Sequence, residues 1–389
     1  MDYILRPTLE QAIQEGLKHS PIVVLQGPRQ CGKTTLARDL GVQESHYFAM
    51  DDSLDIIRLE ENARTTLASL NGLIVIDEAQ KKPDLFPTLR VLADRREHTA
   101  RFLLLGSAST LLMKEVSETL AGRAHIIDMS GFSLGEVGAG NWRNLWIQGA
   151  FPQAFMRKEV QSMKWRMDYI REFIQRDLRD LSESKISNKQ IRDLLRFIAT
   201  TQGGNWNHST AANNIGVDQK TVKRYLELFR TTFIIRELPL YATNIGKTLR
   251  RAPKYFIRDS GITHALMQVF NFDELIATQY LGASWESYAL EQVCIALELT
   301  EDECYTWGVQ SGAEIDLVFR KRGKLYGIEF KHNEAPRTTR SFTEAVKHLK
   351  LEQAWIVHSG PNSYSLKENA DAVSIQELYK ITEYLNISK

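Results

Sequence analysis

Apolar positions in the first third of the chain fall into short continuous runs and do not alternate with polar ones. Residues 21–26, 73–76 and 101–109 contain such runs, and residues 34–40 follow the first of them with a helical pattern. A continuous run of this length is typical of a strand buried on both faces, as in a parallel sheet covered by helices. The pattern predicts an α/β domain with a parallel sheet.

The middle of the chain has a different pattern. Residues 206–226 have the spacing of two helices joined by a turn at Gly216, and Asp218 is placed to cap the second helix. Residues 233–241 and 254–257 predict the two strands of a wing, which would complete a winged helix. An AAA-type lid or a protein-docking module has the same shape, so both alternatives stay open.

The first predicted strand and helix are joined by the sequence G-x-x-x-x-G-K-[ST], the phosphate-binding loop of nucleotide-binding proteins. Backbone N–H groups of such a loop and of the helix N-terminus point at one anion. Lys33 is expected to reach the terminal phosphates, and Thr34 is expected to hold a magnesium ion. The residues predicted to bind ATP here are Gly27, Pro28, Arg29, Gln30, Cys31, Gly32, Lys33, Thr34 and Thr35.

Two acids end the second apolar run. Ligands of open α/β sheets bind at the carboxyl ends of the strands, so Asp77 is predicted to complete the magnesium shell. Glu78 is predicted to polarise the attacking water. A helix-initiating acid is the alternative for Glu78.

Two further residues are candidates for the ATP site. Ser107, at the end of the third run, is either a sensor of the γ-phosphate or a cap of the next helix. Arg123 follows a glycine and is either an arginine finger, acting within the chain or on a neighbour's nucleotide, or one half of a surface salt bridge.

The charge is unevenly distributed. The whole chain carries a net charge of +1, whereas residues 157–259 hold 21 Lys and Arg against 11 Asp and Glu, a net charge of +10. A basic segment of this kind indicates a polyanionic partner. In the second helix of the predicted helix-turn-helix, the face opposite the apolar one carries the candidate DNA contacts, Gln219, Lys220, Lys223 and Arg224.

The last third of the chain carries a second set of candidate catalytic residues. Residues 312–319 and 325–331 alternate charged with apolar positions, which predicts two strands of a hairpin. Asp316 and Glu329 would bind magnesium, and Lys331 would position or deprotonate the water in phosphodiester hydrolysis. Glu286, at the start of a predicted helix, is a further candidate ligand. The alternative is an exposed hairpin with solvated charges.

Composition places limits on the environment of the protein. The 389 residues are 43% hydrophobic and 25% charged, which is typical of a soluble globular protein of two to three domains. The three cysteines, Cys31, Cys294 and Cys304, are too few and too scattered for a disulfide framework or a zinc site. We find no signal peptide and no apolar run near the ~20 residues of a membrane span, so we expect a cytoplasmic protein without a membrane partner.

Taken in order, these motifs resemble those of a large bacterial and archaeal group of AAA-type P-loop ATPases with a C-terminal domain of unknown function, 4143 type. The resemblance implies a P-loop ATPase domain with a parallel sheet at 1–150 and a helical and winged-helix domain at 151–275. A mixed α/β, restriction-endonuclease-like (PD-(D/E)xK) domain is implied at 276–389. The residues that carry the resemblance are 27–36, 51–52, 76–80, 106–107, 120–123, 149–152, Tyr169, 176–178, the helix-turn-helix, 259–261, 285–286, 314–316 and 329–331.

Two functions remain open at this stage, and both require ATP and Mg²⁺. In the first, the chain is an ATP-hydrolysing DNA-binding enzyme whose C-terminal domain cuts DNA or recognises a branched structure. In the second, it is an ATP-driven switch or scaffold whose winged helix docks a protein partner and whose nuclease-like domain is inactive. By analogy with AAA-type modules, which usually complete their site at a subunit interface, we expect a homo-oligomer such as a ring.

Overall fold

The structure is a computed structural model that describes residues 4–60, 62–95, 99–107, 110–178, 187–241, 252–309 and 312–387. Its contacts divide the chain into two compact units, Met1–Gly131 with Thr231–Phe233 and Phe132–Arg230 with Ile234–Lys389. In this division residues 132–150 group with the second unit. The three-domain arrangement stays a prediction.

The first unit is built on five strands, which are β1 (Ile22–Gly27), β2 (Tyr47–Ala49), β3 (Leu73–Asp77), β4 (Arg101–Ser107) and β5 (Ala124–Asp128). They form one parallel sheet in the order β2–β3–β4–β1–β5. The apolar runs predicted as strands are therefore strands. β1 is wholly buried, whereas β5 at the sheet edge is largely exposed.

The described residues of this unit form six α-helices: α1 (Pro7–His19), α2 (Lys33–Asp39), α3 (Ser53–Glu60), α4 (Ala63–Ala68), α5 (Leu85–Ala93) and α6 (Thr110–Thr119). A buried cluster joins Phe48, Ile74 and Phe102 of the sheet to Phe86 and Leu89 of α5. This core fixes the carboxyl ends of the strands, where the phosphate-binding loop lies.

The second unit begins with helices. They are α7 (Leu134–Val137), α8 (Trp142–Gln148), α9 (Pro152–Phe155), α10 (Glu159–Glu172), α11 (Asn188–Thr201), α12 (His208–Ile215), α13 (Gln219–Thr231), α14 (Ser260–Met267), α15 (Phe272–Ile276), α16 (Leu281–Ala296), α17 (Arg340–Leu349) and α18 (Tyr379–Tyr384). None of the helices in the described ranges is long and apolar enough to cross a membrane.

Two sheets complete this unit. The first pairs β6 (Ile235–Leu238) with β7 (Lys254–Ile257) in an antiparallel ribbon. The second has the order β12–β13–β11–β10–β9–β8 and mixes parallel with antiparallel pairs. Its strands are β8 (Tyr305–Gly308), β9 (Glu314–Lys321), β10 (Lys324–Lys331), β11 (Gln353–His358), β12 (Tyr364–Lys367) and β13 (Ala370–Ser374).

Local signals explain the main turns of the second unit. Gly216 adopts φ 70° at the end of α12, and the Asp218 carboxylate accepts a hydrogen bond from the Thr221 N–H of α13 at 2.6 Å. The predicted helices and turn are thus present. Arg322 (φ 49°) and Gly323 (φ 79°) join β9 to β10, as expected for a two-residue hairpin turn of type I′, in which both central residues have positive φ.

Candidate functional site

The phosphate-binding loop lies between β1 and α2, where the sequence predicts it. The Lys33 ammonium is buried and donates hydrogen bonds to the carbonyls of Gly27 at 2.9 Å and Pro28 at 2.8 Å. A Cβ on Gly27 would lie 2.0 Å from the Met129 carbonyl oxygen, so only glycine fits there. Gly32 adopts φ 104° as the N-cap of α2, which turns the chain into the helix.

Arg6 supports this loop from the N-terminal segment. Its buried guanidinium donates to the Cys31 carbonyl at 3.2 Å and to the Ser130 and Gly131 carbonyls at 3.2 and 2.7 Å. The side chain thereby ties the loop to the segment after β5. Sequence reasoning missed Arg6, because it stands 21 residues before the motif and carries no pattern of its own.

Asp77 lies beside Thr34 at the carboxyl edge of the sheet. The Thr34 hydroxyl donates to Asp77 Oδ2 at 2.7 Å, and the Glu78 N–H donates to Asp77 Oδ1 at 2.9 Å. A hydroxyl and a carboxylate in contact are hard oxygen donors of the kind that Mg²⁺ prefers. These two residues therefore suit the metal of a nucleotide complex.

Tyr47 adds a third group to this pair. Its hydroxyl donates to Asp77 Oδ2 at 2.6 Å, since β2 pairs with β3. Burial, and next the hydrogen bond to Asp77, raise the pKa of Tyr47 above its usual value, so the phenol stays protonated and remains a donor. Its position at the start of β2, next to the sheet strand that ends in Asp77, is the only sequence signal for this role.

Glu78 and Ser107 are joined by Gln80. The Gln80 amide donates to Glu78 Oε2 and, at 3.0 Å, to Ser107 Oγ. Ser107 pairs with Gly27 in the strand register, so both predicted residues lie beside the phosphate-binding loop. Glu78 itself adopts a left-handed conformation (φ 53°, ψ 42°), a strained state that clusters at functional sites. Gln80 was not predicted.

Arg123 lies at the opposite edge of the sheet. It precedes β5, whose Ala124 pairs with Ile22 at the amino end of β1, so the length of β1, about 17 Å, separates it from the loop. Its guanidinium makes two hydrogen bonds to Asp94, at 2.6 and 2.9 Å. This geometry corrects the expectation of a finger acting within the chain; the surface ion pair is what the structure shows.

The predicted DNA-contacting residues form the exposed face of α13. Gln219, Lys220, Lys223 and Arg224 are all exposed, whereas Val222 is buried on the other face. The side chains thus lie as the helical spacing predicts.

The C-terminal candidates also come together. β9 and β10 are antiparallel, with Leu317 opposite Ile328, so Asp316 and Glu329 are neighbours across the hairpin. Asp316 Oδ2 accepts from the Phe330 N–H at 3.0 Å, and Lys331 Nζ lies 2.8 Å from Glu329 Oε1.

A lysine that was not predicted lies among these acids. Lys254 of β7 places Nζ 3.1 Å from Asp316 Oδ1 and 3.2 Å from Glu286 Oε1, with its side chain 6% exposed. A Cβ on Gly203 would lie 2.8 Å from Glu286 Oε2, so the chain also closes on that carboxylate from the other side. Glu286, Asp316, Glu329, Lys331 and Lys254 are called the acid–lysine cluster below.

Burial controls the charges of this cluster. Burial, and then the negative charge of Asp316, raise the pKa of Glu286 and of Glu329 above the usual value, and the Lys254 ammonium lowers both in part. Burial lowers the pKa of Lys254, but the carboxylates of Asp316, Glu286 and Glu314 outweigh it and the result lies above the usual value. Lys254 is therefore a cation at any ordinary pH.

An ammonium lies between two of the three carboxylates that are predicted to bind magnesium. Within the described ranges, no group of three or more His, Cys, Asp or Glu side chains is arranged to hold a metal ion. The assignment of Glu286, Asp316 and Glu329 to one magnesium ion stays a prediction.

The cysteines are less scattered than the sequence suggests. Cys294 and Cys304 are both buried, and their sulfurs lie 3.7 Å apart beside the ion pair of Arg236 with Glu291. They are free thiols, as is Cys31. The sequence does not indicate this contact, because it forms only when the end of α16 and the residue before β8 come together in the fold.

Three family models match the chain in succession. They are an AAA domain at residues 19–138, a domain of unknown function (DUF8612) at residues 139–273 and a second one (DUF4143) at residues 281–378. The AAA domain and the C-terminal domain of the 4143 type that the sequence predicts are thus confirmed.

Two mycobacterial proteins match nearly the whole chain. The chain is 38% identical over 368 residues to "Uncharacterized protein Rv2008c" of Mycobacterium tuberculosis, covering 94% of this chain and 82% of that protein. The same values hold for "Uncharacterized protein Mb2031c" of Mycobacterium bovis. Among solved structures, the Walker-type ATPase PABY2304 of Pyrococcus abyssi is 16% identical, with 68% of this chain and 96% of that one covered and a TM-score of 0.47. The chain therefore belongs to the family of the mycobacterial protein Rv2008c, and it carries an AAA domain followed by DUF8612 and DUF4143 domains.

Proposed function

We propose that this chain is an ATP-hydrolysing protein that binds DNA and acts as a homo-oligomer. The contact of Thr34 Oγ1 with Asp77 Oδ2, next to the buried Lys33, carries the ATPase part of the proposal. In P-loop ATPases these residue types hold Mg²⁺ and the β- and γ-phosphates. Mg²⁺, when bound, would neutralise charge on the transferred phosphoryl group.

The remaining residues of the site have separate roles in this proposal. Lys33 leaves the carbonyls of Gly27 and Pro28 and pairs with the phosphates, which satisfy its buried charge. Glu78 orients the attacking water and accepts its proton. Gln80 holds Glu78 and Ser107 in a fixed relation, so that the water and the γ-phosphate are positioned together.

ATP turnover of two variants tests this proposal. Lys33→Ala is expected to abolish nucleotide binding, and Glu78→Gln is expected to keep binding but to lose turnover by about 100-fold or more. Lys81→Ala is the matched control, because Lys81 lies next to the same strand end but pairs with Asp51 on the surface. Unchanged hydrolysis in Lys33→Ala would refute the assignment of the loop.

Charge and exposure support the DNA part of the proposal. The four polar side chains of α13 are exposed on one face of the second helix of a helix-turn-helix, within a segment of net charge +10. A recognition helix contacts the major groove with such a face, and β6 and β7 follow this helix along the chain, as the wing strands follow the recognition helix in a winged helix.

Salt dependence distinguishes DNA binding from docking of a protein partner. Affinity for duplex DNA is expected to fall steeply with salt, and each lost phosphate contact in Lys220→Ala, Lys223→Ala or Arg224→Ala reduces the log–log slope by about 0.9. Lys347→Ala, exposed on α17, should leave the slope unchanged. Absence of binding at low salt would favour the second function, an ATP-driven switch with a protein partner.

Cleavage of DNA by the C-terminal domain is the second candidate function. The closeness of Asp316, Glu329 and Lys331 favours it, since these residue types serve phosphodiester hydrolysis. The test uses labelled duplex, single-stranded and four-way-junction DNA, with and without ATP. The parent protein should cut this DNA in the presence of Mg²⁺, and Asp316→Ala should leave it intact. Binding of these DNAs without cutting would leave structure recognition as the role of the domain.

A further inference from the structure

One cation of the acid–lysine cluster, Lys254, comes from outside the hairpin of β9 and β10. Lys254 Nζ lies within 3.2 Å of oxygens from both Glu286 and Asp316. Of the remaining oxygens, the other Asp316 oxygen accepts from the Phe330 N–H and Glu329 Oε1 pairs with Lys331, whereas Glu329 Oε2 is buried without a hydrogen-bond partner. Each of the two carboxylates facing Lys254 thus has the ammonium as its charged partner.

The position of Lys254 is fixed from outside the cluster. It pairs with Leu238 in the ribbon of β6 and β7, and the Pro253 carbonyl before it accepts a hydrogen bond from the Trp206 N–H at 3.3 Å. The next residue, Tyr255, packs against Trp206 with ring centroids 5.0 Å apart. The helix-turn-helix and its ribbon therefore hold the lysine in place, and the sheet of β9 and β10 supplies the acids.

A buried ammonium is costly unless charges of opposite sign surround it. The cost is offset here by two carboxylates at hydrogen-bond distance and by Glu314 further away. A divalent ion bound by the same two carboxylates would sit about 2.0–2.6 Å from their oxygens. It would then lie against the ammonium, and repulsion between the two cations would prevent both from being bound at once.

We propose that the Lys254 ammonium takes the place of a divalent metal ion between Glu286 and Asp316, so that the C-terminal domain holds no metal while Lys254 occupies this position. The inference rests on the second candidate function, because it concerns the same acid–lysine cluster and shares Asp316 with it. It states how that site is regulated: metal binding, and any cleavage that depends on it, require Lys254 to leave the cluster.

Mn²⁺ titration of the full chain tests the proposal. All proteins carry Asp77→Asn, which weakens metal binding at the nucleotide site, and binding is followed by calorimetry without nucleotide. The parent is expected to show no Mn²⁺ site in the C-terminal domain. Lys254→Met, which keeps the length of the side chain and removes its charge, is expected to gain one Mn²⁺ per chain, and addition of Asp316→Asn should abolish that gain.

Controls separate a true site from a general loss of positive charge. Lys324→Met removes an exposed lysine of β10 that pairs with Glu352, and it should gain no Mn²⁺ site. Lys254→Arg keeps the cation and should also remain without metal. A gain of the same site in Lys324→Met, or no gain in folded Lys254→Met, would overturn the proposal.

Two outcomes distinguish this proposal from the cleavage candidate. If Lys254→Met binds Mn²⁺ but cuts none of the DNA substrates, the inference stands and the cleavage candidate fails. If the parent binds Mn²⁺ at a site that Asp316→Asn abolishes, the inference fails, even where Lys254→Met does not fold. If the parent also cuts DNA in that case, the cleavage candidate stands although the inference fails.

Discussion

Replacing Tyr47 with Phe removes one hydroxyl from beside Asp77 and retains the ring. The Tyr47 O–H donates to Asp77 Oδ2 at 2.6 Å, and the Arg38 guanidinium lies 4.4 Å from the ring centroid, a contact that Phe keeps. A hydrogen bond to a charged group contributes about 1.5–3 kcal/mol. Loss of such a partner of a metal ligand typically weakens metal affinity by about 10–100-fold, which is the same range of free energy.

The Mg²⁺ dependence of ATP hydrolysis is the measurement. For Tyr47→Phe, the Mg²⁺ concentration at half-maximal turnover is expected to rise by about 10–100-fold, while nucleotide binding in the presence of a chelator stays unchanged. The pKa of Tyr47 lies above its usual value, so the effect should not vary with pH in the ordinary range. Tyr384→Phe, exposed on α18, is the matched control and should behave as the parent.

Two results would refute this reasoning. If the half-saturating Mg²⁺ concentration of Tyr47→Phe equals that of Tyr384→Phe, the hydrogen bond does not position Asp77. If nucleotide binding without metal falls as much as turnover does, Tyr47 acts through the fold of β2 and not through the metal ligand.

Three further predictions concern other parts of the chain. Gly27→Ala should abolish ATP binding, because its Cβ would meet the Met129 carbonyl oxygen at 2.0 Å, whereas Gly282→Ala has open space and should not; nucleotide titration compares them. Arg123→Ala should barely change the melting temperature, since its ion pair is exposed. If turnover per chain rises with protein concentration in the parent but not in this variant, Arg123 acts on a neighbour's nucleotide. If turnover depends on protein concentration in the same way in both proteins, that role is excluded. Burial lowers the pKa of His264 to about 4, so the free energy of unfolding should fall by up to roughly 3 kcal/mol as pH drops from about 6.5 to 4. Chemical denaturation against pH checks this, and an equal fall in His264→Gln would contradict it.

The sequence predicted the parts of the ATP site that lie in continuous patterns. The strand ending in Asp77 and the loop around Lys33 are local signals, and parallel pairing of β3, β4 and β1 brings their ends to one edge. The same rule explains why Arg123 lies away from the loop. It precedes its strand, and a residue at the amino end of a parallel strand lies at the opposite edge.

Supporting residues escaped prediction because their partners are distant in the sequence. Arg6 reaches Gly131 across 125 residues, and Lys254 reaches Asp316 across 62. Neither stands in a motif, and a basic residue in a basic segment carries no mark of its partner. Only tertiary packing, which no periodicity encodes, shows which charge is buried beside which acid.

Asp77 and Asp316 differ in the groups that face their negative charge, and this difference predicts which of the two binds a metal ion. Asp77 accepts hydrogen bonds from the hydroxyls of Thr34 and Tyr47 and from the Glu78 N–H, which are neutral and leave its negative charge available to a divalent ion. Asp316 instead faces the ammonium of Lys254, which compensates that charge. The chain is therefore expected to take Mg²⁺ at Asp77, at the end of β3, and to exclude it from Asp316, within β9, unless the ribbon that holds Lys254 changes position.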